Sequence, residues 1–111
     1  MTHRATKEHQ PDNTAPLVVR RGDRLRYERR PTEWKGWVWC ISTSGRSGWA
    51  PESWLALEKE VCVALRDYDS TELVLRVGEE VRVDFIESGW AWVESDGSRR
   101  GWVPLACLKK A

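Results

Sequence analysis

The chain has 111 residues, with 18 Lys/Arg against 17 Asp/Glu and a formal net charge of +1. That balance excludes a global field that would recruit nucleic acid or an anionic membrane. Three cysteines, Cys40, Cys62 and Cys107, show no Cys-x-x-Cys spacing and are odd in number, which excludes a thiol-exchange motif and argues against a disulfide scaffold.

Charge is split along the chain. Residues 1–57 hold ten Lys/Arg against six Asp/Glu, +4, and residues 58–111 hold eight against eleven, −3. Opposite signs could dock two units or serve two unlike partners. No stretch approaches the roughly 20 apolar residues of a membrane span, and the start, Met1 to Pro16, lacks the apolar core of an export signal. A cytoplasmic, reduced protein without metal or cofactor is the expectation.

Residues 1–15 are polar and lack both helical and strand periods, so they read as a disordered tail. From Leu17 onward, short apolar or alternating runs separated by Gly, Pro and charges predict an all-β chain. The first set of strands is Leu17–Val19, Arg24–Tyr27, Gly36–Ile41 and Arg46–Ala50. The second is Val61–Leu65, Leu73–Leu75, Val81–Phe85, Trp90–Glu94 and Arg99–Val103. Sliding the chain by 53 positions lays residues 36–55 on 89–108 with nine of twenty columns identical, among them Gly48, Trp49 and Pro51 on Gly101, Trp102 and Pro104. About one identity is expected by chance, so the chain contains an internal repeat.

Upstream the offset becomes 56, matching Leu17, Val18, Arg20, Gly22 and Arg26 to Leu73, Val74, Arg76, Gly78 and Arg82. Leu55 to Val61 contains no Gly, Pro or Ser, which predicts a stiff junction rather than a tether. The expected domains are therefore residues 16–57 and 58–111, rigidly joined in a monomer. Gly78 falls where a strand must reverse and predicts a positive φ, while Gly101 predicts a close backbone approach.

The second repeat resembles the Src-homology-3 (SH3) family from Val63 to Leu108. Ala64-Leu65-Arg66-Asp67-Tyr68 is similar to the family's Ala-Leu-Tyr-Asp-Tyr opening, Val77-Gly78-Glu79-Glu80 to its Gly-acidic segment, and Gly101-Trp102-Val103-Pro104 to its Gly-aromatic-apolar-Pro corner. The resemblance implies two small five-stranded SH3-like β-barrels. Each would carry an aromatic groove for extended, proline-rich peptides in the polyproline II conformation. It also implies the site residues: Tyr68, Trp90 and Pro104 at groove positions with Glu72 at the acidic one, and Trp37, Pro51 and Trp54 in the first repeat.

The chain departs from the family pattern at several points. Arg66 replaces one groove Tyr, Cys107 stands at the last groove Tyr, and the loop Asp69–Glu72 is short. In the first repeat Pro16 stands where Glu72 stands, and Glu8 to Asp12 offers no opening motif. Either the tail supplies an irregular strand there or a neighbouring element completes the barrel.

Trp49 and Trp102, inside the repeated corner, are expected to be packed. Trp39 and Trp92 share strand parity with the groove tryptophans and should lie outside their own cores, at least one of them between the units. Both histidines lie in the tail, so no catalytic triad is apparent and a non-enzymatic protein or peptide binder is the reading. Two alternatives stand beside it. One is cell-wall peptidoglycan binding, as in bacterial SH3-like tandems. The other is single-stranded nucleic-acid binding through Arg20-Arg21 and Arg29-Arg30 near Trp34 and Trp37.

Overall fold

The computed structural model describes residues 2–11, 16–32, 34–95 and 97–111. In chain order its strands are β1 (Thr2–Ala5), β2 (Val18–Val19), β3 (Arg24–Glu28), β4 (Trp37–Ile41), β5 (Ser47–Pro51), β6 (Leu55–Leu57), β7 (Val61–Ala64), β8 (Tyr68–Asp69), β9 (Glu80–Glu87), β10 (Trp90–Ser95), β11 (Arg99–Pro104) and β12 (Leu108–Lys110). Single 3-10 turns at Glu52–Trp54 and Leu105–Cys107 are the helical elements among the described residues. The expected all-β class holds.

The chain forms two compact units, but they do not fall where the repeat places them. One is residues 15–70; the other joins residues 1–14 to residues 71–111. Each is a five-stranded antiparallel barrel, ordered β5-β4-β3-β7-β6 in the first and β11-β10-β9-β1-β12 in the second. The short pair β2–β8 also belongs to the 15–70 unit.

Two expectations are corrected by this arrangement. The segment Leu55 to Val61 is not a stiff rod between domains: β6 and β7 are the arms of a hairpin, with Leu55 opposite Ala64 and Leu57 opposite Cys62. The Glu58 N–H donates to the Val61 carbonyl at 2.8 Å across the connection. Three connecting residues suit a hairpin and cost little closure entropy, so β7 folds back beside the strand it has just left. There it pairs with β3, Leu25 facing Cys62.

The second correction concerns residues 1–15, expected as a disordered tail, of which Met1 and residues 12–15 lie outside the described residues. Thr2–Ala5 is a strand in the middle of a sheet. It pairs His3 with Val81 of β9 and with Lys110 of β12. Because β7 has filled the place beside β3 and β6, β1 fills the matching place beside β9 and β12. His3 then stands where Cys62 stands, and both are buried. Apolar periodicity could not reveal a strand of four residues whose two inward side chains are a His and an Ala.

Alternation builds the cores. Along β10, Ala91, Val93 and Ser95 point inward while Trp90, Trp92 and Glu94 do not. Val93 packs with Ala5, Leu73, Leu75, Val81 and Val103. Cys40, at the place equivalent to Val93, is likewise fully buried.

The two glycine expectations hold. Gly78 has φ +91°, a conformation side-chain-bearing residues avoid, and its N–H donates to the Ala5 carbonyl at 2.8 Å. At Gly101 an added Cβ would lie 2.9 Å from the Leu73 nitrogen and 3.1 Å from the Thr71 carbonyl oxygen, so the corner closes directly on backbone.

Candidate functional site

In the 15–70 unit, register places Trp37 opposite Pro51. Pro51, with φ −63°, ends β5 and starts the 3-10 turn that carries Trp54. Tyr68 enters from β8, held opposite Val19. Its ring meets Trp54 edge to face, centroids 5.5 Å apart, and its hydroxyl donates to the Trp49 carbonyl at 2.5 Å. The Leu65 N–H donates to the Trp54 carbonyl at 2.9 Å, tying the segment before Tyr68 to the same turn.

Trp37, Pro51 and Trp54 are thus gathered as the sequence predicts, but Tyr68 joins them and not Trp90. All four are buried. Arg66 is the exposed member of the cluster. Its guanidinium lies over the Trp54 ring, 3.8 Å from the centroid.

The other unit builds the same frame with different chemistry. His9 bridges to Leu75 as Tyr68 pairs with Val19, so His9 occupies the Tyr68 place. Its ring meets Trp90 edge to face at 5.5 Å, and its Nε2 lies 2.8 Å from the Glu72 carboxylate. Trp90 is half-buried and faces Pro104. Glu72, Trp90 and Pro104 are therefore brought together around His9. The Glu72 carboxylate is already engaged by that histidine. Cys107, buried where Trp54 stands in the other unit, has its thiol pKa pushed up by burial, an effect partly offset by Lys7.

Sequence reasoning missed His9 and the stacking role of Arg66. The signal for His9 was the four-residue spacing from Ala5, equal to that from Ala64 to Tyr68. It stayed hidden because this segment matches at an offset of 59 rather than 56.

Trp39, Trp49, Trp92 and Trp102 cover one another in pairs. Trp39 meets Trp49 edge to face at 5.4 Å with the Arg30 guanidinium 4.5 Å from the Trp39 centroid. Trp92 meets Trp102 at 5.5 Å, and Phe85 meets Trp102 at the same distance. Each strand tryptophan thus lies outside its core, as expected, and rests on the corner tryptophan of its own unit. Arg29 and Arg30, half of the basic cluster seen in the sequence, are engaged at 2.9 Å by Glu52 and Glu28.

A family model, the variant SH3 domain, matches the chain twice, over residues 2–58 and 61–111. The chain belongs to this family. Each match begins with the strand that the other barrel uses: 2–58 contains β1, which pairs with β9 and β12, and 61–111 contains β7, which pairs with β3 and β6. Searches of curated proteins and of solved structures return no match. Among the described residues no helix is long and apolar enough to cross a membrane, and no group of three or more His, Cys, Asp or Glu is placed to hold a metal ion. SH3-type domains are generally non-enzymatic modules that bind protein or peptide ligands.

Proposed function

We propose that this protein is an adaptor that binds an extended, proline-containing peptide segment at the aromatic cluster of the 15–70 unit. What carries the reading is the assembly of Trp37, Pro51, Trp54 and Tyr68 in one barrel, with Tyr68 seated on Trp54 at 5.5 Å. Proline rings pack on flat aromatic faces, and a preformed polyproline II segment loses little entropy on binding. Because the four residues are buried, such a ligand would meet the cluster at its exposed edge, where Arg66 lies over Trp54. In the other unit the half-buried Trp90 beside Pro104 supports a second, narrower contact surface. The three cysteines are free thiols, which supports a reducing, cytoplasmic setting.

Chemical-shift mapping of the full chain with a proline-rich peptide tests this reading. The indole resonances of Trp37 and Trp54 and the ring of Tyr68 should move together and saturate. Shifts confined to Phe85, Ile86 and Trp92 would overturn the assignment.

A further inference from the structure

Arg66 gives the cluster of the 15–70 unit a charge that the groove Tyr it replaces would not carry. The family pattern has an aromatic ring at this position and a carboxylate in the facing loop, which favours ligands with a basic residue. Here neither half of that arrangement is present in this unit. The place of the carboxylate is taken by Pro16, 56 positions before Glu72, and Glu72 itself is held by His9 in the other unit. The place of the ring is taken by a guanidinium stacked 3.8 Å from the Trp54 centroid.

A guanidinium held over an aromatic face keeps its N–H edge for a planar acceptor. That edge makes no ion pair or side-chain hydrogen bond among the described residues. The neighbouring carboxylate, Asp67, accepts the Arg21 backbone N–H at 2.8 Å. With Trp37, Pro51, Trp54 and Tyr68 buried, the exposed chemistry of the cluster is a cation held over a tryptophan face.

We infer that Arg66 is the specificity-determining residue of this site and that it selects a peptide carrying a carboxylate beside its proline segment, inverting the charge preference of the family pattern. The inference rests on the groove reading above. A carboxylate matches the two parallel N–H bonds a stacked guanidinium offers, and a lysine or arginine in the ligand is repelled there. Because Arg66 is exposed, the preference is moderate and falls with salt.

The test uses the full chain and three peptides with one proline-containing core, flanked by Glu, by Gln or by Lys. Affinity is followed at the Trp54 indole resonance. The Glu-flanked peptide should bind about three- to fivefold more tightly than the Gln-flanked one at low salt. That preference should disappear near about 0.5 M NaCl. In Arg66→Gln the ratio of Glu-flanked to Gln-flanked affinity should fall to about one, whatever the change in absolute affinity, and in Arg66→Glu the preference should reverse toward the Lys-flanked peptide.

Tightest binding of the Lys-flanked peptide by the unaltered chain, or an acidic preference that survives Arg66→Gln, overturns the inference and leaves the groove reading standing. Failure of all three peptides to move the Trp54 resonance at any salt removes both.

Discussion

The two barrels share a frame and differ at the positions a ligand would read. Trp54 with Tyr68 and Arg66 in one unit corresponds to Cys107 with His9 and Lys7 in the other. The outer faces differ in the same way: Arg30 covers Trp39 in the first, whereas Phe85 packs on Trp102 beside Trp92 in the second. Backbone registers are nonetheless repeated. Gly22 and Gly78 donate to the carbonyls of Ala64 and Ala5, each at 2.8 Å, and Leu65 and Thr6 donate to those of Trp54 and Cys107 at 2.9 and 2.8 Å. Selection on a fold acts through such main-chain contacts, while selection on a ligand acts through side chains that leave them untouched.

The two barrels also differ in connectivity. Residues 15–70 contain every strand of their barrel, whereas the other barrel is closed by a strand from the far end of the chain. Division at the repeat boundary should therefore break both units. A fragment of residues 58–111 lacks β1, and one of residues 1–57 lacks β7. Deleting residues 1–9 should cost the 71–111 unit on the order of 5 kcal/mol, comparable with the whole stability of so small a domain, while a 15–70 fragment keeps its dispersed amide spectrum. Native-state hydrogen exchange, read unit by unit, checks this; a folded 58–111 fragment would contradict the exchange of strands.

The repeated corner glycine sharpens the comparison at intermediate scale. Gly101→Ala forces a Cβ onto the backbone of Thr71 to Leu73 and should cost about 2–3 kcal/mol. Gly48→Ala instead meets the Ser70 hydroxyl at 2.7 Å and the Leu17 Cβ at 3.3 Å. The Ser70 hydroxyl can rotate away, losing the 2.7 Å bond it accepts from the Leu17 N–H, and the Ser70 Cβ at 3.1 Å need give only slightly, so about 1 kcal/mol is expected. Urea midpoints of the two variants should rank accordingly.

The smallest expected effect is a difference in base sensitivity. Cys40 and Cys62 share the core of the 15–70 unit, and burial pushes both thiols above their ordinary pKa, Cys40 far more strongly. Thiols raised in the folded state stay protonated there, so above about pH 8.5 the unfolded chain loses protons that the folded one retains. Stability of this unit should fall as pH rises through that point. Cys40→Val, which installs the residue found at position 93, should flatten the fall, as followed by thermal unfolding at pH 7 and pH 10. An unchanged slope would remove the thiols as its cause.

How much of this was legible in the sequence depended on length of pattern. Twenty aligned columns around the Gly-Trp-x-Pro corner were enough to establish the duplicated scaffold, and Gly78 and Gly101 announced their geometry because few other residues can adopt it. The strand Thr2–Ala5 was illegible. Its inward residues, His3 and Ala5, carry little hydrophobic signal, and it is stabilised by backbone pairing on both sides. The position of Tyr68 was misassigned for a related reason: sequence order joins it to the repeat that follows.

The amino-acid sequence by itself determined that there are two barrels, because each carries its own turns, corner and alternating strands, which are local instructions. Which strand closes which barrel was decided only in three dimensions. Two equivalent places were open to β1 and β7, and the three-residue turn after β6 made the near place the cheaper one for β7, leaving the other to the chain's beginning.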